Sequence, residues 1–388
     1  MVAAPVFPAP VVPPSLLQWL ALTLTEGLGP TRSRRLVEHF GGVEGVFRAS
    51  LTELEASGLR AVSAQAIFTG KSLDLAQQEM VKVAESKAHI VALDDPRYPQ
   101  RLKEIYDPPL VLYVRGSVEV LSSPGIAMVG TRHPTPYGVG MAERLACDLS
   151  NRGLSIISGL ARGVDTAAHR GVINAKGRTV AAMGTGVDEI YPRENKRLAE
   201  QIVALGGALV SEFAIATPPT PQNFPIRNRI ISGLSVGVLV VEASEYSGTR
   251  ITARCALEQC REVYAVPGNV TNKTAWGPNT LIKQGAKLVA TWEDVWEELP
   301  TQVRLQLAPT PVESSAGATA SLFEGAELPP HEKKLLAVLK ADESMQIDEI
   351  VDRLENEVSP SEIFAALFEL ELAGKVKQLP GKNFVKTF

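Results

Sequence analysis

The chain has only three cysteines, Cys147, Cys255 and Cys260, in 388 residues. An odd count without metal-ligand spacing gives no disulfide framework and no zinc module. His39, His89, His133, His169 and His331 are scattered and lack a carboxylate cluster, so neither a metal site nor a cofactor is expected. No stretch reaches eighteen apolar residues. The apolar start before Trp19 holds five prolines and no basic flank, so it reads as neither a membrane span nor a signal peptide. Both the Walker loop and the G-x-G-x-x-G turn are missing, which leaves ATP hydrolysis and a dinucleotide fingerprint without sequence support. There is little excess charge of either sign. Lys+Arg number 39 and Asp+Glu 43, a net charge of -4, so the chain is not a polycation that coats nucleic acid unselectively.

Apolar residues, at 45%, are plentiful enough for real cores, and the length suits two or three domains. A cytoplasmic multidomain protein is the expectation. Charge is unevenly placed along it. Residues 121–290 carry 18 Lys+Arg against 12 Asp+Glu, whereas residues 291–388 carry 9 against 18. That asymmetry points to an anionic ligand in the middle and a protein partner at the end, or to ordinary variation of a solvated surface.

The pattern divides the chain into segments 14–85, 86–298, 299–330 and 331–388. The first is helical, with Leu17, Leu20, Leu22 and Leu24 before a turn at Gly27–Pro30, and resembles helix-hairpin-helix or SAM-like modules. Such a turn can offer N–H groups to phosphate, or the segment can be a plain helical cap. The second segment alternates nine strand-like runs, from His89–Leu93 to Lys287–Ala290, with helical stretches such as Tyr137–Asn151, Val164–Ala175 and Arg250–Gln259. Several runs are continuously apolar, as when helices cover both faces of a sheet. The fold class is therefore α/β, an extended Rossmann-like, doubly wound and mostly parallel sheet. Residues 299–330 read as a flexible linker rich in Ala, Pro, Ser and Gly. The last segment reads as three helices and a terminal hairpin, a winged helix, with Gly374 stopping the third helix and Pro380-Gly381 splitting the hairpin. That third helix holds Glu362, Glu369 and Glu371 and no basic residue, which disfavours reading of a DNA groove and favours a protein contact.

Chemistry-bearing residues gather at the predicted strand ends. Gly130-Thr131-Arg132 follows one strand and precedes a helix, placing N–H groups where this fold receives an anion. A guanidinium beside such a turn clamps phosphate or forms a structural ion pair. Ser158-Gly159-Leu160-Ala161 makes a second glycine turn. Asp165 and His169 follow it, four residues apart on one helical face. They suit a base and its orienter, or more simply an intrahelical bond. Phe224, Arg227, Asn228 and Arg229 cluster around a helix start at Pro225, supplying charge for phosphate and a ring for a base. An apolar stripe interrupts them, so one continuous patch is not required.

These stretches, in this order, resemble the DNA-processing protein A family (DprA, also called Smf). The resemblance is carried by Asp94–Pro99, Leu112–Gly116, Val129–Arg132, Ile157–His169, Asn223–Ser235, Glu242-Ala243, Ser247-Gly248, Ala265–Gly268, Leu281-Ile282 and Gly285-Ala286. It covers residues 90–290, with a weaker fit of the helical head and winged tail. Cys260, where the family often has Gly, is a departure at a helix end. The resemblance implies a non-enzymatic, homodimeric single-stranded DNA-binding protein. Such a protein guards incoming DNA in natural transformation and loads the RecA recombinase onto it. On this chain the implied DNA contacts are Gly130, Thr131, Arg132, Ser158, Gly159, Ala161, Phe224, Arg227, Asn228 and Arg229. The alternatives are a nucleotide sensor and a phosphoribohydrolase-like enzyme. The latter needs Pro-Gly-Gly-x-Gly-Thr-x-x-Glu, and here Ser247-Gly248-Thr249 lacks the first part and has Thr252 in place of the glutamate.

Overall fold

The computed structural model describes residues 14–245, 247–307, 329–340, 344–354, 358–372, 375–379 and 381–386. All nine strand runs read from the sequence are strands, with ends shifted by a residue or two. They are β1 (His89–Ala92), β2 (Val111–Gly116), β3 (Gly125–Val129), β4 (Ser155–Ser158), β5 (Thr179–Ala182), β6 (Ala208–Ser211), β7 (Gly237–Val240), β8 (Glu262–Ala265) and β9 (Lys287–Leu288). They form one sheet in the order β1-β2-β6-β5-β4-β3-β7-β8-β9. Strands β3 to β9 pair in parallel, while β2 joins β6 and β1 joins β2 antiparallel.

Every residue of β3 to β7 is buried, because two layers of helices enclose them. The period of two sorts the side chains. Ile126 and Met128 of β3 point to a layer containing α1 (Pro136–Asn151) and α2 (Val164–Asn174). Ala127 and Val129 point to the other layer, where α3 (Asn223–Leu234) and α4 (Thr249–Glu258) lie. Helix α1 starts where it does because Thr135 accepts from the Gly138 N–H at 3.2 Å and Pro136 fills the first helical position. Helix α3 begins two residues earlier than expected, at Asn223, with Pro225 inside its first turn. Proline is tolerated there because first-turn N–H groups have no intrahelical partner.

The helical head is Pro14–Leu24, Pro30–His39, Val43–Arg48, Leu51–Ala56, Ala61–Phe68 and Lys71–Glu85. Its buried side chains Trp19, Leu20 and Leu22 belong to the same apolar core as Ile90 of β1 and Leu112 of β2. The buried Glu79 carboxylate also accepts the Ile215 N–H at 2.7 Å, tying the head to the loop after β6. At the other end, helices Pro330–Val338, Ile347–Leu354 and Pro360–Leu372 accompany β10 (Met345–Gln346), β11 (Val376–Leu379) and β12 (Asn383–Lys386). Leu335, Ile350, Ile363, Leu367 and Leu370 make its core with Phe384. Strand β10, too short to show an alternation, was not legible in the sequence. Residues 308–328 of the expected linker, the helix stop at Gly374 and the turn residue Pro380 lie outside the described residues.

Asp165 and His169 do not pair with each other. The His169 Nδ1 lies 2.8 Å from the Thr179 hydroxyl, which gives its own hydrogen to the Ile156 carbonyl at 2.5 Å. Thr179 therefore accepts, Nδ1 carries the proton, and Nε2 is a bare acceptor buried without a partner. Burial, reinforced by the Arg227 charge, pushes the His169 pKa down to about 3. Between that value and the unfolded value of about 6.5 the unfolded chain binds more protons, so this residue's stabilisation is present above pH 6.5 and lost as the pH falls. In urea unfolding, the stability difference between wild type and His169→Gln should shift against wild type by up to about 1.4 kcal/mol per pH unit below pH 6. A pH-independent difference would refute the neutral buried imidazole.

Candidate nucleic-acid interface

The chain runs from β3 to β4 on one side of the sheet, and β7 flanks β3 on the other. Loops leaving β3 and β7 therefore diverge, and this is the switch point where doubly wound folds hold ligands. A cleft of about 650 Å³ opens there. Gly130, Thr131, Arg132 and His133 form one wall, Phe224, Arg227 and Asn228 of α3 another, and Ser247, Gly248 and Thr249 close the end at α4. A smaller recess continues from it between Arg132, Gly159, Ala161, Tyr191, Phe224 and Arg227.

Several of the backbone N–H groups at the strand ends are already engaged by the protein itself. Glu242, directly after β7, is 2% exposed and sits at the head of α1. Its carboxylate accepts the Thr135 N–H at 2.8 Å and the Thr135 hydroxyl at 2.6 Å, and its carbonyl accepts the Thr131 N–H at 2.6 Å. Gly138 packs against the same carboxylate, leaving no room for a Cβ. At the second glycine turn the buried Asp165 carboxylate accepts from Gly159 N–H at 3.0 Å and Ala161 N–H at 3.4 Å. Burial raises the Asp165 pKa, and Arg227 and these N–H groups oppose that shift. The second glycine turn and the head of α1 thus each hold a carboxylate of the protein's own, Asp165 and Glu242.

The three arginines of the reading have three different environments. Arg132 is exposed and, among the described residues, has no ion pair or hydrogen bond; its guanidinium lies 5.9 Å from the centre of the Phe224 ring. Arg227 is 4% exposed, forms part of the cleft floor and donates to the Ala182 carbonyl at 2.6 Å. Burial lowers its pKa to about 10, opposed by Asp165 and aided by Arg132, so it stays a cation at neutral pH. Gly159 makes space for it: a Cβ there would stand 2.7 Å from the Arg227 Cζ. Arg229 is not brought to the cleft. It donates to the two Glu212 oxygens at 2.7 and 2.6 Å and to Asp107 at 2.9 Å, tying α3 to the segment before β2. Burial acts against the Arg229 charge, but Glu212 and Asp107 outweigh it and the pKa rises. Two residues along a helix turn the side chain by about 200°, which separates Arg229 from Arg227.

Ser158 is also beneath the surface, its hydroxyl donating to the Met128 carbonyl at 2.6 Å. Gly130, Thr131, Ala161, Phe224 and Asn228 line the cleft, and Gly159 the recess. Of the cleft residues not singled out from the sequence, the aromatic one is Tyr191. Tyr191 is 42% exposed, with its ring 5.6 Å from that of Phe224. The Tyr191-Pro192 pair after the third parallel strand was its only signal. Phe224 itself rests on Gly184, where a Cβ would meet the ring at 2.8 Å. Among the described residues no group of His, Cys, Asp and Glu could hold a metal, and no helix is long and apolar enough to cross a membrane.

Removing one member of a buried ion pair leaves the other charge stranded. Arg229→Ala should therefore cost about 3–5 kcal/mol in chemical denaturation. Arg132→Ala, which breaks no ion pair, should change stability by less than about 0.5 kcal/mol. Equal costs for the two would contradict this division of roles.

Known proteins match this chain along most of its length. The family described as DNA recombination-mediator protein A matches residues 89–300, and the DprA winged helix domain matches residues 320–382. Protein Smf of Escherichia coli is 41% identical over 331 residues, covering 84% of this chain and 85% of that protein. The DNA processing protein DprA of Bacillus subtilis is 47% identical over 217 residues, covering 56% and 73% respectively. The X-ray structure of DNA processing protein A from Streptococcus pneumoniae superimposes with a TM-score of 0.65 at 34% identity, covering 73% of this chain and 98% of that one. With one family model over residues 89–300, a second over the winged helix and a relative 41% identical across 84% of its length, the chain belongs to the DNA recombination-mediator protein A family, DprA/Smf.

Proposed function

We propose that this protein holds single-stranded DNA across the β3–β7 cleft and, without catalysing a reaction, delivers it to a recombinase. The observation that carries the reading is the exposed, unpaired Arg132 standing beside the Tyr191–Phe224 ring pair. A guanidinium for phosphate next to rings for bases is what a single strand requires, since every base has a stacking face but only an unpaired one presents it. Arg227 adds positive potential from below without surrendering its own hydrogen bond. Asn228 and the backbone of Gly130 and Thr131 border the same path. Arg229 and Ser158, held in buried hydrogen bonds, support the walls rather than the strand.

Asp165 and His169 serve different buried partners, so the acid–base pairing weighed from their spacing has no part in the reading. The names of the relatives, DNA processing protein and recombination-mediator protein, support DNA handling in recombination, and a role in transformation extends the family reading. RecA as the recipient, and a cytoplasmic homodimer as the working form, extend the same family reading. Two linked tracks in a dimer would raise the effective concentration of the second contact and favour long strands over short ones. The acidic winged helix suits a protein partner better than a DNA groove.

Fluorescence anisotropy with labelled oligo-dT across a salt series tests the reading. Phosphate contacts release counterions, so affinity should fall with salt, and Arg132→Ala should flatten the log–log slope by about 0.7 for one lost phosphate. Phe224→Ala and Tyr191→Ala should weaken binding by about 1–3 kcal/mol per lost base stack, largely independent of salt. Duplex DNA should compete poorly. Efficient competition by a mononucleotide would overturn the reading in favour of a nucleotide sensor.

A further inference from the structure

Glu242 occupies a place that, in a doubly wound fold, receives a ligand's phosphate. Three features of its surroundings have the form of an anion site. Helix α1 is 16 residues long and directs its first-turn N–H groups toward the end of β7. Both carboxylate oxygens are engaged, one by the Thr135 N–H at 2.8 Å and the other by the Thr135 hydroxyl at 2.6 Å. The hydroxyl in turn accepts the Gly138 N–H at 3.2 Å, so the helix end reaches the carboxylate through a two-step relay. Glycine at position 138 then lets the carboxylate lie directly on the helix, with its Cδ 2.5 Å from where a Cβ would be. A chain that needed only a helix cap had one in Thr135. Thr135, Gly138 and the preceding turn instead enclose a fully buried carboxylate contributed from 107 residues further along.

We infer that Glu242 is a specificity-determining residue: a built-in anion that fills the phosphate position at the switch point and so denies it to free nucleotides and inorganic phosphate. A phosphate approaching the same N–H groups would meet a resident negative charge in a site largely closed to water, where like-charge repulsion is strong. Arg132 remains as the exposed donor. It sits on the loop between two anchors on Glu242, the Thr131 N–H bound to its carbonyl and the Thr135 N–H bound to its carboxylate. A single weak phosphate contact favours a polymer, which repeats the contact, over a monomer, which cannot. The purpose assigned to this refusal rests on the single-strand reading; the occupation of the site by a substitute anion does not.

The test is anion rescue in the full-length protein. Glu242→Ala opens the cradle and should lower the thermal midpoint by several degrees. Acetate or inorganic phosphate, added at millimolar concentration and compared with sodium chloride at equal ionic strength, should raise the variant's midpoint with the logarithm of anion concentration. Wild type should show no such rise over sodium chloride. The variant should also bind inorganic phosphate saturably in calorimetry, which wild type should not. Glu242→Ser keeps a short acceptor for the turn, opens the same cradle and undergoes the same comparison if the alanine variant fails to fold. A folded variant that gains nothing from either anion beyond wild type would overturn the inference. Rescue involves no DNA, so a protein that fails in the oligo-dT assay but is rescued by acetate would refute the strand reading and leave Glu242's role standing.

Discussion

A carboxylate taken out of water must find donors, because an unpaired buried charge costs several kcal/mol. Glu242 meets that demand at the end of β7 with groups from the loop after β3, and the cleft takes its shape from the bargain. The Thr131 N–H and the Thr135 N–H are fixed on the same residue, so the three residues between them, Arg132, His133 and Pro134, are held at both ends. Arg132 is carried on that fixed loop, while its side chain stays in solvent. The same economy governs the second turn, where Asp165 holds the N–H groups of Gly159 and Ala161 and faces the guanidinium of Arg227. The walls of the site are thus held by internal electrostatics, and its ligand does not have to organise them.

Positive charge is distributed in depth. Arg229 lies deepest in function, locked by Glu212 and Asp107 as a strut between α3 and the segment before β2. Arg227 is intermediate, hydrogen-bonded below and contributing potential above. Arg132 alone of the three has an exposed guanidinium that no carboxylate or carbonyl engages among the described residues. A chain with a net charge of -4 can present a cationic cleft in this way, because the neighbouring carboxylates are buried under it or paired away from it.

Much of this was legible in the sequence. The central strands could be read because buried parallel strands are short, largely apolar runs, as Gly237–Val240 and Thr179–Ala182 are. The helix faces of the winged segment followed from period 3.6 at Ile350, Leu354, Ile363 and Leu367. The cleft was located by Gly130, Arg132 and Phe224. What escaped the sequence were pairings made by tertiary structure. Nothing near Glu242 announces Thr135, and Asp165 and His169 share a helical spacing but turn to a backbone turn and to Thr179 of β5. Arg227 and Arg229 look alike in one dimension, and only the orientation of α3 separates floor from strut. Tyr191 escaped because a lone aromatic before proline has no periodicity to betray its neighbour Phe224.

The antiparallel edge of the sheet has a consequence for how the chain comes off the ribosome. Strand β2 ends at Gly116, but its partner β6 starts only at Ala208. At about 5–20 residues per second, roughly five to twenty seconds separate the two during synthesis. Through that interval β2 has β1 on one side and an unpaired edge on the other. Because Trp19, Leu20 and Leu22 already pack beneath the β1–β2 pair, the helical head can cover its apolar face while the edge waits. The helical head that packs against β1 and β2 in the finished fold is, in the order of translation, made before either strand and long before β6.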